Sequence, residues 1–128
     1  MIVLKNREII DPEYNEALAL LLRHPLPAAA AWELADLLKK SQEIMDRVFT
    51  ARRETGLRYG ARPLPNGDVT FLPDAAMPPE CKKELTDLDE IENSIDFKPV
   101  KLPERRPDGS PILYEPIIMS RLTKLLTR

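Results

Sequence analysis

The sequence predicts a mainly α protein with a small amount of β structure (α+β). It reads as an antiparallel helical hairpin with a β-hairpin at its tip, plus short strands near the chain ends. Three observations carry this. Residues 28–55 contain neither proline nor glycine and begin with four alanines, the strongest helix formers. Asn66 and Gly67 sit just before Val69, Thr70 and Phe71, a turn signal followed by strand formers. Cys81, Leu85, Leu88, Ile91 and Ile95 then recur at helical spacing. The 128 residues fit one domain of roughly 100–150 residues. It divides into a strand and first helix (1–27), a long helix, β-hairpin and helix (28–96), and a proline-rich arm with a C-terminal helix (97–128).

Each element has a local cause. Ile2, Val3 and Leu4, with Ile9 and Ile10 after a polar stretch, predict a short strand or a tight hairpin around Asn6. Asp11, Pro12 and Glu13 start a helix: Asp accepts from free first-turn amides, Pro presets φ, and Glu faces the positive helix end. Tyr14, Leu18, Leu21 and Leu22 give that helix one apolar face, and Pro25 and Pro27 stop it.

The second helix starts near Pro27 or Ala28. Leu34, Ser41, Val48 and Thr55 form one seam and Leu37, Ile44 and Ala51 the other, widened by Leu38 and Met45. Such width fits a helix packed on more than one neighbour. About 28 residues extend roughly 42 Å, and Gly56 is expected to end them as a left-handed cap. Asn66 and Gly67 then predict a type I′ hairpin turn, with Pro63 and Pro65 confining the first arm to an edge. The third helix, from about Glu80 to Asp96, presents its apolar stripe to the long helix and an acidic face outward. Five prolines between Pro99 and Pro116 forbid a helix there. An edge strand is expected over 97–102, a turn at Asp108 and Gly109, and a strand over 112–114 returning to residues 2–10. Ile117, Ile118, Leu122, Leu125 and Leu126 predict a C-terminal helix opened by Glu115 and Pro116.

Composition excludes several function classes. Nineteen basic and 21 acidic residues nearly cancel, so no simple electrostatic argument favours nucleic acid or a membrane. Cys81 alone makes no intramolecular disulfide or multi-cysteine zinc site, and His24 alone makes no histidine-rich metal centre. The four glycines form neither a Walker nor a dinucleotide loop. No apolar run reaches the roughly 20 residues that span a bilayer, and the start lacks a secretory layout. The expected location is the cytoplasm, or the virion, and no cofactor, metal or small-molecule ligand is expected.

The acidic residues Asp87, Asp89, Glu90 and Glu92 lack an EF-hand's spacing and read as a solvated face or a patch for a basic partner. His24 reads as a helix-end cap, Cys81 as packing, and Arg52, Arg53, Arg105 and Arg106 as surface charge. Trp32 admits two readings: packing against the first helix, or an oligomer contact, since tryptophan is enriched in interface hot spots. Tyr114 and the C-terminal stripe divide in the same way between self-packing and partner docking. Trp32, Phe49, Tyr114, Ile118 and Leu122 are the candidate protein-contact residues.

The order of elements resembles a group of small uncharacterised phage and prophage proteins. It is carried by the strand from Leu4 to Ile9, the proline-marked break from His24 to Pro27, and the basic, aromatic helix end from Arg52 to Tyr59. A polar hairpin and an acidic helix running into the extended segment from Phe97 to Leu102 complete it. The resemblance covers most of the chain and carries over no functional residues. It implies a virion, assembly or accessory role, not an enzyme; the expected partners are a second copy of the chain or other phage proteins. Two further readings are a prefoldin-like chaperone, which also joins two helices by a hairpin, and a nucleic-acid-associated regulator, which needs a basic stripe.

Overall fold

Alternation begins at the first residues of the computed structural model, which describes residues 1–127. In β1 (Ile2–Lys5), Ile2 and Leu4 are buried while Val3 faces out. The polar residues that follow form a single helical turn, α1 (Asn6–Ile9), and not a hairpin around Asn6. The Lys5 amide donates to Glu8 Oε1 at 3.1 Å, which satisfies a free first-turn donor. α2 (Pro12–Leu21) starts as expected, with Asp11 Oδ1 accepting from the Glu13 amide at 3.0 Å. It buries Tyr14, Ala17, Leu18 and Leu21.

α3 (Ala28–Arg58) has 31 residues, about 46 Å of helix. Of the two expected seams, Leu34, Leu37, Ser41, Ile44, Val48 and Thr55 are buried, and Ala51 is half-exposed. Gly56 does not end the helix. The left-handed residue is Gly60, at φ +91°, where the Ala61 amide donates to the Gly56 carbonyl at 2.8 Å and the Gly60 amide to Leu57 at 3.4 Å. Gly56 instead makes room: a Cβ there would lie 2.6 Å from Phe71 Cε1.

β2 (Arg62–Pro63) and β3 (Val69–Thr70) form the tip hairpin, with Arg62 opposite Thr70 and Pro63 opposite Val69. The turn differs from type I′, because Gly67 is the only residue of the loop with positive φ. The Gly67 amide donates to Leu64 at 3.1 Å and the Leu64 amide to Asp68 at 2.8 Å, a three-residue loop in which Pro65 takes the position its fixed φ suits.

α4 (Pro79–Asp89) runs antiparallel to α3, since Arg58 pairs with Glu84 and Arg52 with Asp89, both at 2.9 Å. It stops well short of Asp96. The expected last turns form β4 (Glu92–Ile95), antiparallel to β1, with Ile2 opposite Ile95 and Lys5 opposite Glu92. Asn6 causes this: its side-chain amide donates to the Leu88 carbonyl at 2.7 Å and its backbone amide to Ile91 at 2.9 Å. Its Oδ1 accepts from Asn93 Nδ2 at 2.8 Å.

The place beside β1 is therefore filled by β4, not by residues 112–114. Those belong to a local loop in which the Ile112 amide donates to Glu104 at 3.0 Å, turned at Gly109. β5 (Val100–Lys101) pairs in parallel with β6 (Leu126–Thr127), so the predicted edge strand forms but the expected last turn of the C-terminal helix does not. That helix, α5 (Pro116–Arg121), packs on α2. A single buried cluster draws on residues from Ile2 to Leu125 and knits both chain ends to the middle of α3. Among the described residues, no helix is long and apolar enough to cross a membrane.

Candidate interaction surface

The five candidate contact residues separate into two groups. Trp32 is 78% exposed and Phe49 49% exposed, both on α3. Trp32 points away from the core and not toward α2, because it lies about half a turn from the Leu34–Leu37 seam. Exposed Ala28, Ala29 and Ala35, one turn before or after it, leave the indole as a knob on a low apolar face.

Ile118 and Leu122 are both 0% exposed, so they are not contact residues. The apolar stripe of α5 closes the chain's own core over α2, and ion pairs fix it there. Lys124 Nζ lies 3.0 Å from Glu8 Oε2, and Arg121 pairs with Glu13. Burial would raise the Glu8 carboxyl, but the Lys5 amide and the Lys124 ammonium outweigh it and hold it below the usual carboxylate range. The already paired Glu8, Arg121 and Lys124 line the cleft of about 380 Å³ between α1 and α5.

Tyr114 is half-buried and used internally. Its hydroxyl donates to the Pro103 carbonyl at 2.6 Å, and its ring lies 4.8 Å from the His24 ring. His24 Nε2 is 2.7 Å from Glu115 Oε2. This hydrogen bond leads the causes that hold the Glu115 carboxyl below its ordinary value. His24 thus fastens the proline-rich arm to the end of α2, a more specific role than capping a helix.

Part of the acidic face of α4 meets basic partners within the chain, while Asp87 and Glu92 stand exposed to solvent. Asp89 pairs with Arg52, Glu84 with Arg58, and Glu90 with Lys5 at 2.6 Å and Arg7 at 3.0 Å. Arg53 donates to the Gly67 carbonyl at 3.1 Å and Arg105 to Gly109 at 2.8 Å. Cys81 is buried on the apolar side of α4. Among the described residues, no group of three or more His, Cys, Asp or Glu side chains is placed to hold a metal ion.

One feature of the surface escaped sequence reasoning. Between α3 and the tip hairpin lies a cleft of about 630 Å³, lined by Phe49, Arg52, Arg53, Asn66, Asp68 and Phe71 together with the buried Val69. The Arg52 guanidinium stands over the Phe71 ring at 5.9 Å from its centroid. Leu113 and Met119, 83% and 52% exposed, add apolar surface on the arm and on α5. No family model matches the chain, and no curated protein or solved structure gives a significant match.

Proposed function

We propose that this protein acts by protein–protein contact and catalyses no reaction, as a structural, assembly or accessory component of the phage or prophage kind. It works as a homo-oligomer, in the cytoplasm or the virion. The observation that carries the reading is the outer face of α3, where a tryptophan stands 78% exposed among exposed alanines. Indole is costly to leave in water and is the side chain most characteristic of interface hot spots. The cleft between α1 and α5 supports the same reading in a second way, because its charged groups are engaged in pairs that hold elements together. The phage assignment rests on the order of elements alone.

Size-exclusion chromatography with light scattering over a hundredfold range of concentration tests the reading. The expected result is a concentration-dependent oligomer that Trp32→Ala combined with Phe49→Ala dissociates. A wild-type chain that stays monomeric at the highest concentration refutes it.

A further inference from the structure

α3 carries a second apolar seam besides the one that faces its own core. Ala28, Ala31, Ala35, Leu38, Met45 and Phe49 fall on a heptad pattern of alternating three- and four-residue steps, interrupted only by Gln42. All are exposed or half-exposed, and Leu38 and Met45 also lean on the core from its edge. Such a pattern over about 32 Å of helix is the signature of a helix that packs against another helix along its length. α4 lies against α3 near Arg52 and Arg58, beyond the end of this seam.

The residues flanking the seam on its outer side recur every seventh position: Trp32, Lys39, Asp46 and Arg53. Their arrangement is symmetric about a point between Gln42 and Glu43. Lys39 lies as far before that point as Asp46 lies after it, and Trp32 as far before it as Arg53 after it. In an antiparallel helix pair, residues on this flank face the same flank of the partner. Every flanking residue then meets a complementary one: Lys39 the partner's Asp46, and Trp32 the partner's Arg53. Bulk is complementary too. The alanine-lined half of each helix lies against the half carrying Phe49 and the tip hairpin of the other. A parallel pair would set hairpin against hairpin and leave both charges unmatched.

We infer that α3 packs against α3 of a second copy in an antiparallel, two-fold arrangement, with Trp32 of each copy entering the cleft formed by Phe49, Arg53 and Phe71 of the other. The cleft of about 630 Å³ admits an indole, and its Arg53 guanidinium supplies the cation that faces it. This rests on the reading of the chain as a self-associating contact protein and adds the surface, the direction and the register.

A charge exchange in the full-length chain tests it. Lys39→Asp and Asp46→Lys, each alone, place like charges together twice per dimer and are expected to weaken dimerisation at least tenfold by analytical ultracentrifugation. Lys39→Asp with Asp46→Lys together restores the opposite-charge pairs and is expected to return the dissociation constant to within about threefold of wild type. Trp32 is the only tryptophan, so its emission should shift to the blue with concentration in wild type and in the double variant. If wild type dimerises but the double variant stays as weak as the singles, this register is wrong while the oligomer reading stands. If wild type dimerises without a shift in Trp32 emission, the surface is wrong. A wild-type monomer overturns both.

Discussion

Asn6 holds three elements at one point, and its removal gives the sharpest test of how the two ends of the chain are joined. The side chain is 4% exposed and makes two hydrogen bonds, donating to the Leu88 carbonyl at 2.7 Å and accepting from Asn93 at 2.8 Å. Asn6→Ala deletes both and leaves a helix-terminal carbonyl and a carboxamide short of one partner each. An unmade bond in a buried place costs about 1–3 kcal/mol. Asn93 retains its bond to the Leu4 carbonyl at 3.0 Å, and the Leu88 carbonyl retains the Ile91 amide at 3.3 Å, so both shares belong in the lower part of that range. The expected loss is about 2–3 kcal/mol, read as a lower urea midpoint by far-ultraviolet circular dichroism at unchanged m-value. Asn6→Asp retains the acceptor but sets a carboxylate against the Leu88 carbonyl at a helix carboxyl end, and should destabilise least at acid pH, where the added carboxyl is protonated. Amide exchange in β1 and β4 should accelerate in both variants before exchange in the middle of α3 does. A loss below about 1 kcal/mol for Asn6→Ala, with β4 still protected, would refute the claim that this side chain decides where α4 stops.

The remaining predictions follow from burial and charge. Ile118→Ala empties a fully buried site between α5 and α2 and should cost about 2–5 kcal/mol in urea unfolding, whereas Trp32→Ala at the exposed site should shift monomer stability by about 0.5 kcal/mol or less; equal effects would contradict the division between core and contact residues. Glu8, Glu90, Asp108 and Glu115 are all held below their ordinary pKa, so their contribution is complete above the unfolded carboxylate range and is lost as pH falls through the lower folded values. Stability should therefore decline from about pH 5 downward, and Glu8→Gln should flatten that decline; an unchanged pH slope in the variant would count against the Lys5–Glu8–Lys124 cluster as its source.

Local chemistry alone determined much of this protein. Asp11, Pro12 and Glu13 start α2 wherever they stand, because the cap, the fixed φ and the acidic first turn act within a few residues. The seams of α3 were legible because a stretch without proline or glycine repeats its apolar residues at helical spacing, and the antiparallel pairing of α3 with α4 followed from the short tip between them. What remained undecided turned on contacts between residues far apart in sequence. Ile91 and Ile95 continue the stripe of α4 in sequence, yet Asn6 takes the carbonyls of Leu88 and Ile91 and β1 takes the strand that follows. Gly56 resembles a cap until Phe71 folds back onto it, and Gly60, four residues later, accepts the left-handed turn. For the candidate contact residues, the sequence could show that Trp32, Phe49, Ile118 and Leu122 are apolar and helical, but not which of them the chain covers itself. That depended on α5 reaching α2 across nearly the whole length of the chain, because an apolar stripe carries no mark of whether its partner is its own fold or another copy.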